Sequence, residues 1–138
     1  MSPIIALQKE LAQALERFEH ALTYKKGKDA ILAQILIDAQ IRCLQKSVEA
    51  VVKLINAYLE ETYNVETESF EQFTDLAVEK GVITAEEKDA LGELIEVTQF
   101  ISEAQAEDQE QAAEVLKYLP MYHKAIGIFG LKINNLLV

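Results

Sequence analysis

The sequence predicts an all-α protein, an up-and-down four-helix bundle with one additional short helix. The residues from Asp29 to Thr62 include neither Pro nor Gly, and their apolar side chains recur every three or four positions. Two further segments open with Ser or Thr followed three residues later by Gln or Glu, which is a helix-start signal. The composition is 50% hydrophobic with only 2 prolines and 5 glycines, which is typical of packed helices and not of disorder.

The segment from Asp29 to Thr62 is predicted to be the central helix of the bundle. At about 1.5 Å per residue it would span roughly 50 Å, so it needs long antiparallel neighbours, a dimer partner, or both. Its polar face, with Asp38, Glu49 and Lys53, is either solvated or lines a groove. Its predicted apolar positions are Leu32, Ile35, Leu36, Ala39, Cys43, Leu44, Val48, Val51, Val52, Ile55 and Leu59. Cys43 is accordingly interpreted as a small buried hydrophobic residue.

The first helix is predicted to begin at Ser2 and Pro3 and to end near Tyr24. Lysines placed where the helix dipole favours cations, together with Gly27, form its predicted C-terminal signal. These lysines are Lys25, Lys26 and Lys28, and the apolar edge of the helix is Leu7, Leu11, Leu15, Phe18 and Leu22.

Two capping signals place the third and fourth helices. Ser69 with Gln72 opens a short helix that runs through Lys80 and stops at Gly81, and Thr84 with Glu87 opens the next one. The buried side of the fourth helix is predicted to carry Leu91, Leu94, Ile95, Thr98 and Ile101. This helix is predicted to fray between Ser102 and Asp108, where no large apolar residue occurs.

The last helix is predicted to begin near Asp108 and to pack along another helix. Pro120 is predicted to lie inside it and to kink it, because proline removes one backbone hydrogen bond. Gly127 and Gly130 leave a smooth spot that favours a close helix contact. Its apolar edge is Val115, Leu119, Tyr122, Ile126, Phe129 and Ile133.

The 138 residues fit one domain, residues 1–138, with a net charge of −10 and only two arginines, Arg17 and Arg42. Such a chain lacks a broad field that attracts phosphate backbones, which disfavours strong direct nucleic-acid binding. The N-terminus does not have the pattern of a signal peptide, and no apolar run approaches the length of a membrane span. A cytoplasmic protein is therefore expected.

No pattern of catalytic or metal-binding residues is evident. His20 and His123 are the only histidines, and the Glu16 to His20 spacing does not match the Glu-x-x-His pattern of di-metal carboxylate bundles. Ser47 and Cys43 have no histidine nearby in the sequence. The sequence therefore predicts no metal, no cofactor and no catalytic residue.

Several short motifs nevertheless occur in an order that resembles a known family. Arg17-Phe18-Glu19-His20-Ala21-Leu22 matches an Arg-Phe-Glu-x-Ala-Leu opening, and the central helix retains Glu49, Lys53 and Tyr58-Leu59-Glu60 of a second motif. Gly81-Val82-Ile83 and Leu119-Pro120 match two later ones. On these motifs the chain resembles the nucleotidyltransferase substrate-binding proteins of the HEPN superfamily, as a divergent member.

The departures from the motifs concern mainly charged side chains. Cys43 and Asp75 stand where the family has arginines, and Gln45 replaces a Glu. Val48 and Val52 replace a Phe and a Trp. The resemblance implies a HEPN-like four-helix bundle, a homodimer, and a separate minimal nucleotidyltransferase as partner, as in toxin–antitoxin pairs. The lost arginines weaken the expectation of a nucleotide ligand.

Ribonucleases of the superfamily carry an Arg-x4-His motif, and alignment places Thr98 and Glu103 at its two positions. Thr98 cannot neutralise a phosphate as Arg does, and Glu103 would repel one. The sequence therefore predicts that this chain is not an enzyme.

The leading hypothesis is a non-catalytic, dimeric binding protein that contacts its partner through the central and fourth helices. Its predicted contact residues are Glu49, Lys53, Thr98 and Glu103. One alternative is a HEPN toxin-like ribonuclease with a displaced site, which would involve His123 or Arg42. Another is a plain helical protein-interaction module whose acidic surface keeps it soluble.

Overall fold

The computed structural model describes residues 3–24, 29–107 and 116–137; of residues 30 and 102–107 it describes only the backbone. Within these ranges all regular secondary structure is helical. Five helices follow one another: α1 (Pro3–Thr23), α2 (Ala30–Tyr63), α3 (Phe70–Glu79), α4 (Ala85–Glu107) and α5 (Leu119–Leu136).

The long helix α2 is the centre of the bundle, as predicted. It packs against each of the other four helices, and α1 also packs against α5. The interior is built from the apolar edges of these helices, and its fully enclosed large side chains include Phe18, Leu44, Leu54, Ile55, Leu59, Leu91, Ile101, Leu119, Ile126 and Ile133. The predicted fold class, an all-α bundle of four long helices with the short α3 added, is confirmed.

Most helix ends lie where the capping signals place them. The Asp29 side chain accepts hydrogen bonds from the first amides of α2, and Ser69 caps α3. Thr84 and Glu87 form a reciprocal capping box at the start of α4, with each side chain accepting the other's backbone N–H at 3.1 and 2.8 Å. Gly81 follows α3 with a φ of 73°, which suits glycine at a helix end.

Two predictions about the later helices were wrong. The backbone of α4 stays helical through Glu107 and does not fray after Ser102, since Ala and Glu in this segment are good helix formers. Pro120 does not kink the last helix, because α5 begins at Leu119 and Pro120 lies in its first turn, where a missing N–H costs nothing. The predicted start near Asp108 and the packing of Val115 lie outside the described residues.

The apolar stripe predicted for α2 is only partly buried. Leu44, Val48, Val51, Ile55 and Leu59 are buried, whereas Leu32 and Ile35 near the start of the helix are 63% and 58% exposed. Cys43 is half-buried and not part of the enclosed core. The predicted signals at Ser2 and at residues 25–28 lie outside the described residues.

Helices α1 and α5 approach each other closely. A Cβ added at Gly130 would lie 2.9 Å from Leu11 Cδ2, as expected for the close contact predicted there, whereas Gly127 faces open space. Gln8 also donates a 2.6 Å hydrogen bond to the Asn134 side chain across this contact. Among the described helices, none has both the length and the apolarity needed to cross a membrane.

Candidate functional site

Two of the predicted contact residues, Glu49 and Lys53, form an ion pair on the exposed face of α2. Lys53 Nζ lies 3.1 Å from Glu49 Oε1, and each side chain remains about half exposed. The hydrogen bond from Lys53 lowers the pKa of Glu49, and the Glu49 carboxylate raises the pKa of Lys53, with a further contribution from Glu10 of α1. The polar face of α2 was predicted either to be solvated or to line a groove, and at this ion pair it is solvated.

The other two predicted residues belong to α4. The half-buried Thr98 donates its hydroxyl to the Ile95 carbonyl at 2.7 Å, a bond within its own helix that does not create a binding group. Glu103 lies in the helical backbone of α4, but its side chain is outside the described residues. The structure therefore brings together Glu49 and Lys53, while Thr98 is on a different helix.

A groove between α1 and α2 contains a group of cations that the sequence analysis did not assemble. We call it the basic groove; it has a volume of about 440 Å³, and its lining residues are Glu10, Gln13, Ala14, Arg17, Ala39, Arg42, Cys43 and Lys46. It contains both arginines of the chain. The lining carries three positive charges and one negative charge, in a protein whose net charge is −10.

The arrangement follows from helical spacing on two neighbouring helices. Glu10, Ala14 and Arg17 recur at i, i+4 and i+7 on α1, and residues 39, 43 and 46 recur likewise on α2. Small side chains lie at the floor of the groove, and long charged ones form its rim. Because Arg17 and Arg42 are 25 positions apart, only this repeated pattern of small and cationic residues on both helices would have signalled the groove.

Ion pairs are observed for three described lysines outside the groove: Lys53 with Glu49, Lys88 with Asp75, and Lys132 with Glu87. Within the groove, the charge of Lys46 acts on the Glu49 carboxylate and helps to lower the pKa of Glu49. Glu10 is the single acidic side chain in the groove lining, so positive charge predominates there.

Cys43 lies at the floor of this groove. Burial raises the pKa of its thiol, and the positive charges of Arg17 and Arg42 partly oppose this effect. The thiol is therefore protonated near neutral pH, which argues against a nucleophilic role. The same opposing effect indicates that both guanidinium groups lie close to the groove floor.

The groove continues towards the loop between α1 and α2. A second cavity, of about 560 Å³, shares Gln13, Arg17, Ala39 and Cys43 with the first. It adds the side chains Glu16, His20, Ala21, Tyr24 and Leu36. The continuation is more apolar and holds one histidine, which lies 4.0 Å from Glu16.

The second histidine, His123, contacts residues of α1 and is not part of the groove. Its Nε2 lies 3.0 Å from the Leu15 carbonyl, and its ring packs edge-on against buried Phe18. His123 is not among the residues that line the groove, so it and Arg42 do not share a site. Among the described residues no group of three or more His, Cys, Asp or Glu side chains could hold a metal ion.

Two exposed apolar surfaces lie outside the lining of the basic groove, although Tyr24 of the second surface also lines the continuation. The first, which we call the α5 stripe, consists of Met121, Ile128 and Leu131, which fall on one face of α5 and are 54–61% exposed. The second, the α2 tip, consists of Tyr24, Ile31, Leu32 and Ile35, which are 58–74% exposed. Clusters of large exposed apolar side chains are typical of interaction surfaces.

Comparisons with known proteins place the fold. A crystal structure of a mutant of the toxin–antitoxin MntA-HpeT contains a chain that matches with a TM-score of 0.75 at 19% identity, covering 96% of this chain and 97% of that one. A crystal structure of a toxin–antitoxin with AMP-PNP matches with a TM-score of 0.75 at 18% identity, covering 96% and 99%. No protein-family model and no curated protein matches the sequence. At these identities the likeness establishes the fold alone.

Proposed function

We propose that this chain is the non-catalytic helical member of a two-protein system, a homodimer that binds a separate minimal nucleotidyltransferase. The observation that carries the proposal is the likeness, along 96% of the chain, to proteins solved in toxin–antitoxin structures. The family resemblance of the sequence motifs supports the same class of partner. Both apolar surfaces provide area for the two contacts that the proposal requires.

The α5 stripe is the proposed homodimer contact. A stripe along one straight helix is self-complementary when two copies pack antiparallel about a twofold axis, so the same residues serve both protomers. Burying large apolar side chains such as Leu131 would stabilise the dimer by about 25 cal/mol per Å² of apolar surface removed from water.

The exposed face of α2 is the proposed contact with the nucleotidyltransferase. Ile31, Ile35, Arg42, Glu49 and Lys53 recur at steps of four and seven, so the α2 tip and the predicted ion pair fall on one face. Such a face combines an apolar end with a charged rim, which is the usual composition of a specific interface. Participation of Thr98 and Glu103 of α4 remains a prediction.

Co-purification tests the proposal with crossed variants. The chain is co-expressed with a candidate minimal nucleotidyltransferase from the same genome, and one protein is captured through a tag on the other. We expect Ile35→Glu to abolish co-purification and leave the homodimer intact, and Leu131→Glu to do the reverse. Failure of the wild-type chains to co-purify, with both folded, would exclude this nucleotidyltransferase as the partner.

The ribonuclease alternative has one specific observation in its favour, because Arg17 and His20 line the same cavity. Incubating purified chain with single-stranded RNA tests it directly. The proposed function predicts no cleavage above that of a His20→Ala/Arg17→Ala variant. If the wild-type chain cleaves the RNA and this variant does not, the ribonuclease alternative replaces the non-catalytic proposal.

A further inference from the structure

We propose that the basic groove binds a small ligand that carries two or more phosphate groups, through Arg17, Arg42 and Lys46. This inference concerns the isolated chain, so it does not depend on a nucleotidyltransferase partner. It rests on the excess of positive charge in the groove lining, on the size and shape of the groove, and on the acidity of the rest of the molecule.

The cations of the groove outnumber the acidic side chains that line it. Arg42 and Lys46 are one helical turn apart on α2, where like charges destabilise a helix slightly. Arg17 faces them from α1, and Glu10 is the single acidic side chain in the lining. An anion bound among these three groups would relieve their repulsion further than Glu10, and Glu49 near Lys46, already do.

The groove has room for such an anion. Its volume of about 440 Å³ lies within the range of small-molecule sites. Ala14, Ala39 and Cys43 keep its floor low, so a ligand can lie between the helices with the guanidinium groups beside it. In agreement with this geometry, the positive charges of Arg17 and Arg42 oppose the effect of burial on the pKa of the Cys43 thiol.

Phosphate is the anion that these donors fit best. The planar guanidinium group donates two parallel hydrogen bonds to phosphate oxygens, and two such groups with a lysine match a ligand of two or more phosphates. A single carboxylate would leave most of the donors unused. The more apolar continuation with Tyr24 and Leu36 has space for an attached ring system such as a nucleoside.

A nucleic acid is a poorer fit than a small ligand. A nucleic-acid strand would extend beyond the groove and contact the surrounding protein surface. The net charge of that surface is strongly negative, because the whole chain carries −10 and the groove is positive. The affinity should therefore be for a compact polyphosphate and not for an extended strand.

Isothermal titration calorimetry on the purified wild-type chain tests the proposal with three probes: pyrophosphate, ADP and a single-stranded RNA oligonucleotide. We expect pyrophosphate and ADP to bind. Tighter binding of ADP than of pyrophosphate would place the nucleoside in the apolar continuation, and equal binding would restrict the ligand contacts to the phosphates. Binding of RNA alone, or of none of the probes at millimolar concentration, would overturn the proposal.

Matched variants locate the site. Arg17→Ala/Arg42→Ala removes two charges from the groove and should weaken pyrophosphate binding about tenfold or more, as loss of charge-assisted hydrogen bonds does. Lys9→Ala/Lys124→Ala removes two charges from exposed positions outside the groove and should leave binding unchanged. An equal loss in both double variants would show a diffuse charge effect and contradict the assignment.

A steric variant tests the need for space in the groove without changing its charges. Ala39 is exposed at the groove floor, so Ala39→Leu should fill the space without disturbing the core. We expect weaker binding of ADP with unchanged helical circular dichroism. Unchanged ADP binding in this folded variant would contradict a ligand lying in the groove.

Discussion

Gly127 and Gly130 are three positions apart on one helix, yet they differ in the space available for an added side chain. Both lie in the interior of α5, yet an added Cβ meets nothing within 4 Å at Gly127 and meets Leu11 Cδ2 at 2.9 Å at Gly130. The sequence predicted a close contact at both glycines. Only the packing of α1 against α5 distinguishes them, and no local pattern encodes that packing.

We expect Gly127→Ala to stabilise the protein by about 0.5–1 kcal/mol, since alanine favours helix more than glycine does. Gly130→Ala gains the same propensity but forces the end of Leu11 to move, which costs about 1–3 kcal/mol. It should therefore be neutral or destabilising. Urea unfolding measures both free energies.

A double-mutant cycle provides the control for the glycine pair. In a Leu11→Ala background the obstruction is absent, so Gly130→Ala should become as favourable as Gly127→Ala. If the two glycine substitutions change the free energy of unfolding equally in the wild-type background, the close α1–α5 contact is not present in solution.

The residues of the basic groove illustrate what sequence reasoning missed at this scale. From the sequence, Arg17 was assigned to a family motif and Arg42 to the ribonuclease alternative, and these two residues were not placed together or with Lys46. Their proximity depends on the register in which α1 lies against α2. That register is set by buried side chains such as Phe18 and Leu44, which say nothing about charge.

Among the helices, α4 and α5 are joined by an ion pair at the capping box of α4. Lys132 of α5 donates to the Glu87 carboxylate, which also accepts the Thr84 backbone N–H. Burial by itself would raise the pKa of Glu87, but the hydrogen bonds from Lys132 and Thr84 outweigh it and lower the pKa below its usual value. The ionised carboxylate therefore stabilises the folded state.

This pair predicts a pH dependence of stability. Because the folded-state pKa of Glu87 is depressed, its contribution is complete above the unfolded value of about 4.5 and is lost as the pH falls through the folded-state pKa. We expect Glu87→Gln to cost about 1 kcal/mol at pH 7 and progressively less below about pH 4.5. Urea unfolding across this pH range measures the difference.

Glu86→Gln is the matched control for Glu87→Gln. Glu86 lies in the same first turn of α4 but is exposed, so it shares the helix-dipole effect without the contact to Lys132. A pH-dependent loss as large in Glu86→Gln as in Glu87→Gln would assign the effect to the helix dipole and not to the α4–α5 pair.

The helices themselves were largely predictable, and the exceptions have physical causes. Caps at Asp29, Ser69 and Thr84 fix their starts through local hydrogen bonds, which sequence spacing records directly. Pro120 was misplaced because proline suits both a kink and a first turn, and the choice depends on where the preceding turn ends. Leu32 and Ile35 were assigned to the core because apolar periodicity does not distinguish a core from an interface.

At the scale of the whole molecule, the bundle leaves the α5 stripe and the α2 tip exposed, and the proposed function assigns one to each contact. We expect the wild-type chain to have twice the 15.5 kDa mass of one protomer by light scattering, and Leu131→Glu to have the mass of one. A charge in the centre of a buried contact leaves an unpaired ion, which is strongly unfavourable.

Ile35→Glu is the control for the dimer prediction, because it places the same charge on an equally exposed apolar residue of the α2 tip. It should retain the dimer mass. A wild-type chain that stays monomeric at tens of micromolar, or a dimer lost in Ile35→Glu and kept in Leu131→Glu, would show that the α5 stripe is not the homodimer contact.

The overall architecture followed from the sequence because one long apolar-edged helix requires long neighbours. The surfaces to which the proposals assign function did not follow from it. Glu49 and Lys53 were selected from family motifs and do lie together, but the groove and the two apolar surfaces arise from residues brought together only by packing. The proposed functions therefore depend on helix faces that the core leaves free.

Calorimetric titration of this chain with the purified nucleotidyltransferase that co-purifies with it tests the central claim most directly. The account predicts saturable binding with a Kd of about 1 µM or tighter, corresponding to roughly −8 kcal/mol, and at least tenfold weaker binding of Ile35→Glu. Absence of binding between the two folded wild-type proteins, or equal affinity of the Ile35→Glu variant, would contradict it.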